Sequence, residues 1–376
     1  MSGKITHFRV GNGDMTLVVL TDNTTILIDC CLCNTEELHG RDGREALLAR
    51  LPRDPWGRPY VDVMVLTHPD KDHCRGLVDE FHLGPMSAYD NKAKKIIIRE
   101  MWSSPLIFRR RSADHPLCPD AIAWNTEAKR RVNWFKANKR SAAEGDRILI
   151  LGGDEPGHTQ GAEELVIPAD AIFNRIGGVD NRFASMRLLG PLPAEELDEE
   201  SLDKNDSSIS IQMTLLFSAD DKQGTLLLFG GDAAVGIWRK LWEKYKATEH
   251  ELAYDLLLAP HHCSWSVISG ELYDGGRGTP DAAALNALGV IHDGGVIVSS
   301  SVEIKNDDND PPCYGAKLEY VKITNRAGGD FICTGEADDP IEYLLTKGGL
   351  QRVERVRAPL KKASATAIVS TPAQHG

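Results

Sequence analysis

The chain has 376 residues, 41% of them apolar, and a formal net charge of −12 at pH 7. This length can bury a large core, and it fits one large α/β domain or two smaller ones. The negative charge argues against a surface that coats nucleic acid indiscriminately, because such a surface would repel the phosphate backbone. No stretch approaches the run of roughly 18 apolar residues that a membrane span needs, and residues 1–10 lack the apolar core of a signal peptide. We therefore expect a cytoplasmic protein that does not bind membranes, and eight scattered cysteines fit reduced thiols better than a disulfide framework.

Short apolar, β-branched runs separated by turn residues predict a meander of strands at the start of the chain. The run at 61–66 is almost wholly apolar, as expected for a strand covered on both faces, and it gives way abruptly to a polar loop at Thr67. In this half of the chain we predict strands over 5–10, 15–20, 24–30, 61–66, 96–98 and 147–151, and helices over 44–51, 74–81 and 120–139.

The second half begins with an acidic stretch at about 191–206 that is rich in Pro, Asp and Glu, which indicates a surface connection. Two strands that follow are predicted to form a hairpin around Asp220 and Asp221. The predicted elements are strands over 208–217, 224–229, 254–259 and 296–299, and a helix from 232 to about 245.

Positive charge is concentrated in residues 91–147, which contain 14 Lys and Arg against 6 Asp and Glu. Such a run usually forms the solvated face of a helix. Trp102, Trp124 and Trp134 are interleaved with the basic residues, so the alternative is a surface for an anionic ligand. The candidate contacts to substrate phosphates are Arg109, Arg110, Arg111, Arg130 and Arg131.

The strongest chemical signal is the loop after the 61–66 strand, which places His68, Asp70, Asp72 and His73 within six residues. Two carboxylates this close to two imidazoles would repel or take up protons, whereas a divalent cation turns the same groups into ligands. The ends of strands in α/β sheets are also where binding sites usually lie. The loop therefore predicts a metal site.

Two further strand ends carry His or Asp. Asp232 follows Gly230 and Gly231 at the end of the 224–229 strand, and His261 and His262 follow the 254–259 strand. Asp is also a common helix cap, and one histidine of an adjacent pair can be a packed core residue. The three strand ends together favour one shared site.

These motifs, taken in order, resemble the metallo-β-lactamase superfamily, in particular the metallo-β-lactamase domain of ComEC-type competence proteins. The motifs that carry the resemblance are Val10-Gly11-Asn12-Gly13-Asp14, Ile28-Asp29, His68-x-Asp70-x-Asp72-His73, Asn205-x-x-Ser208, Gly231-Asp232 and Pro260-His261-His262-x-Ser264. The resemblance implies an α/β fold, a four-layer αββα sandwich. It implies one hydrolase domain over 1–340, with a basic insertion at about 84–147 and an acidic connection at about 191–206, and a partly disordered C-terminal extension over 341–376.

The resemblance also implies a site for two divalent ions. His68 and Asp70 would bind the first ion, Asp72 and His73 the second, and Asp232 would bridge both. We expect His262 to bind the second ion and His261 to act as an acid or phosphate contact, with Asp72 and His261 as the catalytic residues. The superfamily usually supplies another ligand from a Pro-Gly-His-Thr loop, and Pro156-Gly157-His158-Thr159 makes His158 the candidate.

Asp70 stands where the superfamily usually has a second histidine, which makes the first site richer in oxygen and favours Mn²⁺, although Zn²⁺ is also expected to bind. The first hypothesis is a two-metal phosphodiesterase, or nuclease, acting on nucleic acid or a nucleotide. The second is hydrolysis of a lactone, thioester or amide, which needs the same metals but no cationic surface. The third is a metal-stabilised binding module without turnover.

Overall fold

The computed structural model describes residues 2–32, 43–108, 117–138, 142–153, 157–193, 205, 207–273 and 278–354. Within them the chain forms a mixed α/β structure with two large sheets. The α-helices are α1 (Gly43–Leu48), α2 (Lys71–Cys74), α3 (Leu77–Glu80), α4 (Pro119–Ala137), α5 (Val235–Tyr245), α6 (Ala282–Leu288) and α7 (Tyr314–Ala327). None of the helices in the described ranges is both long and apolar enough to cross a membrane.

Strands lie before, between and after these helices along the chain. In the first half they are β1 (Lys4–His7), β2 (Thr16–Val19), β3 (Thr25–Ile28), β4 (Tyr60–Leu66), β5 (Phe81–His82), β6 (Ile96–Ser103), β7 (Arg147–Leu151) and β8 (Val166–Ile167). In the second half they are β9 (Ile172–Phe173), β10 (Arg175–Ile176), β11 (Val179–Asp180), β12 (Ala184–Gly190), β13 (Ser210–Leu215), β14 (Thr225–Phe229), β15 (Tyr254–Leu258), β16 (Ile291–Ser299), β17 (Asp330–Cys333), β18 (Ile341–Thr346) and β19 (Gly349–Arg352).

The first sheet has the strand order β19-β18-β1-β2-β3-β4-β6-β7-β8, and β5 also pairs with β6. The strands from β19 to β3 are antiparallel, and those from β3 to β8 are parallel. The predicted basic insertion therefore contributes β6 to the body of this sheet and ends at the first residue of β7. Residues 341–352, predicted as part of a C-terminal extension, form its β18 and β19 strands, whereas residues 355–376 lie outside the described part.

The second sheet has the order β17-β16-β15-β14-β13-β12-β9. Its strands are parallel from β14 to β17 and antiparallel from β9 to β14. The predicted hairpin around Asp220 and Asp221 is confirmed, since β13 and β14 pair antiparallel on either side of it. Most of the predicted acidic connection, residues 194–204 and 206, lies outside the described residues.

Three buried apolar clusters surround the two sheets. One contains side chains from both sheets, such as Val65 of β4 and Phe229 of β14. A second joins the first sheet to helices including α4, and a third joins the second sheet to α5, α6 and α7. Along β4, Val63 and Val65 belong to the cluster shared by the sheets, and Met64 belongs to the helix-covered cluster. Successive side chains of a strand point to opposite faces, so β4 is covered on both faces, as its apolar sequence predicts.

The predicted helix over 74–81 is instead two short helices, α2 and α3. Gly76 lies between them with φ +85°, in the left-handed region. A Cβ atom at this position would lie only 2.8 Å from the Cβ atom of Leu32. Glycine adopts this conformation without steric cost, so the chain turns at this position. As a result α2 is a single turn that carries Asp72 and His73 directly beyond the end of β4.

Candidate metal centre

Three strand ends bring the predicted His and Asp residues to one place. His68 follows β4, Asp232 follows β14, and His262 follows β15, while β14 and β15 are parallel neighbours. The side chains of His68, His73, Asp232 and His262 are almost completely buried. Those of Asp70, Asp72 and His261 keep 20%, 39% and 22% of their surface exposed, so they form the open side of the cluster.

One part of the cluster, here called the second group, consists of Asp72, His73, Asp232 and His262. One ligand atom from each residue lies within 4.8 Å of the others. His73 Nε2 is 3.1 Å from Asp232 Oδ1, and His262 Nε2 is 3.2 Å from Asp72 Oδ2. Two imidazoles and two carboxylates at this spacing match the nitrogen and oxygen donors that Zn²⁺ or Mn²⁺ takes.

The other oxygen of Asp232 faces a different set of donors, here called the first group, which consists of His68, Asp70 and Asp232. Asp232 Oδ2 is 3.4 Å from His68 Nε2, and that nitrogen is 3.7 Å from Asp70 Oδ2. His261 Nε2 also lies 3.6 Å from Asp232 Oδ2. The two oxygens of one buried carboxylate therefore point toward two separate groups of ligands.

Asp29 and Asp14 contact the Nδ1 atoms of His73 and His262, on the side of each ring away from Nε2. Neither was predicted as a site residue. Asp29 Oδ2 is 2.8 Å from His73 Nδ1, and the backbone N–H and hydroxyl of Thr67 donate to the same carboxylate. Asp14 Oδ1 lies 3.4 Å from His262 Nδ1. A carboxylate that accepts from Nδ1–H, as Asp29 does from His73, leaves the Nε2 lone pair free for a cation. The available signal was their position, because Asp29 directly ends the apolar β3 run and Asp14 closes a glycine turn.

The histidine pair lies on an unusual stretch of backbone. His261, His262 and Cys263 have φ values of 49°, 51° and 68°, all in the left-handed region. This conformation costs a residue with a side chain roughly 1–2 kcal/mol. Backbone hydrogen bonds hold the turn, since His261 N donates to Gly231 O and Cys313 N donates to Cys263 O. Strain of this kind persists where the surrounding structure fixes it, and it is typical of functional sites.

The charges of the cluster stabilise one another strongly. Burial alone would lower the pKa of His73, but the carboxylates of Asp232 and Asp29 outweigh it and hold that pKa well above its usual range. For His262, burial is likewise outweighed by Asp14 and Asp232, which raises the pKa to about 10. Burial opposes ionisation of Asp232, yet the surrounding histidines hold its pKa well below the usual range. Without a bound cation, buried imidazoles must carry the compensating positive charge.

Several buried atoms of the cluster lack hydrogen bonds. Their positions show whether the cluster suits a metal ion. His68 Nε2, His73 Nε2 and Asp232 Oδ1 have no hydrogen-bond partner among the described residues. A buried polar atom left unsatisfied costs about 1–3 kcal/mol. All three atoms face the interior of the cluster and are donors suited to a divalent ion, so the residues present fit a metal site.

The structure does not bring His158 to this cluster. Its side chain is exposed, its ring stacks on Phe108 with centroids 5.2 Å apart, and its carbonyl accepts from Lys136. These contacts hold His158 beside Phe108 and α4, so the structure gives no support to the prediction of His158 as a ligand.

Arg130 and Arg131 were predicted to contact substrate and are instead used inside the protein. Arg131 is 1% exposed, and its guanidinium donates to Glu127 and to the carbonyls of Arg147 and Ile98. Arg130 donates to Glu127, Asp146 and Gly145 O. Arg131 ties α4 to β6 and β7, and Arg130 ties it to the turn before β7, so the structure gives no support to the prediction that they contact substrate. Arg109, Arg110 and Arg111 lie outside the described residues.

Comparison with protein-family models finds no match for the chain, and comparison with curated proteins finds no significantly similar sequence. The resemblance to the metallo-β-lactamase superfamily therefore stays a prediction from the sequence motifs. What the described residues show is a mixed α/β protein with a buried His/Asp cluster that could hold a metal ion.

Proposed function

We propose that the protein is a metal-dependent hydrolase with a two-metal centre, and that its substrate is a phosphodiester in nucleic acid or a nucleotide. The observation that carries this proposal is the position of Asp232. Its Oδ1 lies 3.1 Å from His73 Nε2 and its Oδ2 lies 3.4 Å from His68 Nε2, so one carboxylate can bridge two ions.

The proposal includes the fold. Each sheet shares an apolar cluster with helices, and a third cluster is shared by the two sheets, which supports a four-layer αββα sandwich. In such a sandwich of the metallo-β-lactamase type, the metal site lies at one end of the sheets, where their strands end. The cluster at the ends of β4, β14 and β15 agrees with this arrangement.

The residues divide between two ions, either Mn²⁺ or Zn²⁺. His68, Asp70 and Asp232 would hold the first, and Asp72, His73, His262 and Asp232 the second. When bound, the ions would lower the pKa of water and stabilise negative charge that develops on the substrate. Asp29 keeps the Nε2 atom of His73 directed toward the site. Asp72 and His261 are among the exposed members, so they face the entering substrate.

A phosphodiester is favoured over a carbonyl substrate because two bridged ions can hold both the attacking and the leaving oxygen of an in-line displacement at phosphorus. Arg130 and Arg131 no longer support this choice, and Arg109, Arg110 and Arg111 remain the predicted phosphate contacts. The activity is proposed to be cytoplasmic, without a membrane partner.

The test is hydrolysis of bis(p-nitrophenyl) phosphate and of single- and double-stranded DNA and RNA, with Mn²⁺ or Zn²⁺. We expect metal-dependent cleavage by the wild type, and its loss in the Asp72→Ala and Asp232→Ala variants. Asp293→Ala, which removes an exposed carboxylate from β16, is the matched control and should retain full activity.

Two results would overturn the proposal. Turnover of lactones or thioesters, with no effect of charge reversal at Arg109, Arg110 and Arg111, would identify a carbonyl hydrolase. Two bound ions per chain without hydrolysis of any of these substrates would identify a metal-stabilised binding module.

A further inference from the structure

The first group has fewer protein ligands than the second once His158 is placed elsewhere. His68, Asp70 and Asp232 supply three donor atoms, whereas the second group supplies four. Metal ligands of this kind lie about 2.0–2.2 Å from Zn²⁺, so two donors at a tetrahedral angle are about 3.4 Å apart. The separations from His68 Nε2 to Asp232 Oδ2 and to Asp70 Oδ2, 3.4 and 3.7 Å, match this spacing.

His261 also lies close to Asp232. Its Nε2 lies 3.6 Å from Asp232 Oδ2, the oxygen that faces His68. His68 is 1% exposed and its Nε2 has no hydrogen-bond partner in the described part of the protein, so a buried nitrogen beside the same oxygen of Asp232 is left unsatisfied. An ion between them would satisfy that nitrogen.

The ring of His261 is held in the orientation that a ligand needs. Its Nδ1 is 3.1 Å from Ser266 Oγ, and that hydroxyl is 2.8 Å from Ser264 Oγ. When Nδ1–H donates to Ser266, the proton is absent from Nε2, which then has a lone pair for a cation. Ligating histidines commonly have such a partner on the other ring nitrogen.

The left-handed turn explains how two adjacent histidines reach one site. In an extended strand, neighbouring side chains point to opposite faces. With φ of 49° and 51°, His261 and His262 instead place their rings 6.1 Å apart, one near each side of Asp232. The conformational cost of the turn is compensated if both rings bind ions.

We infer that His261 is a ligand of the first ion through Nε2, in the place that the sequence predicted for His158. This rests on the two-metal centre proposed above, and it replaces the expectation that His261 acts as an acid or phosphate contact. The adjacent histidines then serve different ions, and Asp232 lies between them.

The experiment is equilibrium dialysis of the full chain against Mn²⁺ or Zn²⁺, with metal analysis, for the wild type, His261→Asn and His158→Asn. Asparagine tolerates a left-handed backbone and is too short to replace the imidazole. We expect two ions per chain in the wild type and in His158→Asn. In His261→Asn one ion should bind at least about 100-fold more weakly.

Two further measurements keep the inference testable if His261→Asn folds poorly. Ser266→Ala removes only the hydroxyl that orients the ring, and it should weaken one ion by about 10-fold. Binding of Co²⁺ to the wild type and to Ser266→Ala, followed by its absorption spectrum, reports the change in coordination of one of the two ions.

The inference is overturned if His261→Asn, or in its absence Ser266→Ala, binds two ions with wild-type affinity, or if the wild type binds fewer than two. Loss of an ion in His158→Asn alone would return the ligand role to that residue. Failure of the proposed hydrolysis looks different, because the wild type would then bind two ions and cleave no phosphodiester.

Discussion

Helix α4 and the cluster at the ends of β4, β14 and β15 both concentrate charged side chains, yet their hydrogen bonding differs. On α4, the guanidinium of Arg131 is fully buried and donates to Glu127 and to two carbonyls. In the cluster, the equally buried His68 Nε2 and His73 Nε2 have no hydrogen-bond partner among the described residues. The charges on α4 are joined by hydrogen bonds within the protein, whereas these buried ligand atoms of the cluster are not.

This difference separates structural charge from functional charge. A buried charged group whose donors are all used ties elements together, and removing one partner leaves the other uncompensated. A buried ligand atom without a partner indicates that something outside the chain completes it.

The largest effect is expected at the bridging carboxylate. Replacing Asp232 with Ala removes a ligand that both groups share, so both ions should be lost. We expect metal-dependent hydrolysis of bis(p-nitrophenyl) phosphate to fall by about 10⁴-fold, or about 5 kcal/mol in activation free energy. Steady-state kinetics at saturating Mn²⁺ measure the effect. Retention of activity within tenfold would contradict a bridging role.

Arg131 should affect stability and leave activity unchanged. Arg131→Ala leaves Glu127 buried beside Arg130 alone and frees two buried carbonyls, so the free energy of unfolding should fall by about 3–5 kcal/mol. Urea denaturation measures this change, and Lys129→Ala, an exposed residue of the same helix, should change it by less than about 0.5 kcal/mol. A stable variant with reduced hydrolysis would instead place Arg131 in substrate binding.

His7 provides an unpartnered nitrogen outside the two groups. Its Nε2 is buried without a partner in the described residues, and burial lowers its pKa from 6.5 to about 4, although Asp14 opposes the shift. Between these pH values the unfolded chain binds a proton that the folded chain does not, so the free energy of unfolding should decrease as the pH falls. Relative to His7→Gln, the wild type should lose roughly 3 kcal/mol between pH 7 and pH 4. Denaturation curves with equal pH dependence would show that His7 is not held neutral.

The smallest effect is expected at Asp29, which contacts the ligand His73 and is not itself a ligand. Asp29→Asn weakens the acceptor for His73 Nδ1–H, so the affinity for the second ion should fall by about 10- to 100-fold. The matched control is Asp62→Asn, since Asp62 accepts from the N–H and hydroxyl of Thr25 as Asp29 does from Thr67. Competition with a chelator measures the affinity, and an equal loss in both variants would indicate a general effect on folding.

Much of the site was predictable because its signals are local. The apolar run of β4 predicts a strand covered on both faces, and the polar loop beyond it carries four ligands within six residues. The strands ending before Asp232 and His261 were predicted in the same way. Helix α7 and the break at Gly76 were missed, since the apolar positions of α7 are mixed with polar ones and a single glycine gave weak evidence of a turn.

The residues able to bind a cation can be recognised in the sequence, because ligand chemistry belongs to the side chains and strand ends are local features. Which of them meet depends on the folded chain. His158 has suitable chemistry for a cation, and Arg130 and Arg131 have it for an anionic substrate, but their contacts around α4 direct them elsewhere. Asp14 and Asp29 belong to motifs that carry the family resemblance, yet only the folded chain shows that they contact two histidines that are distant along the chain. Partners of this kind depend on contacts between residues far apart in sequence, which local patterns do not encode.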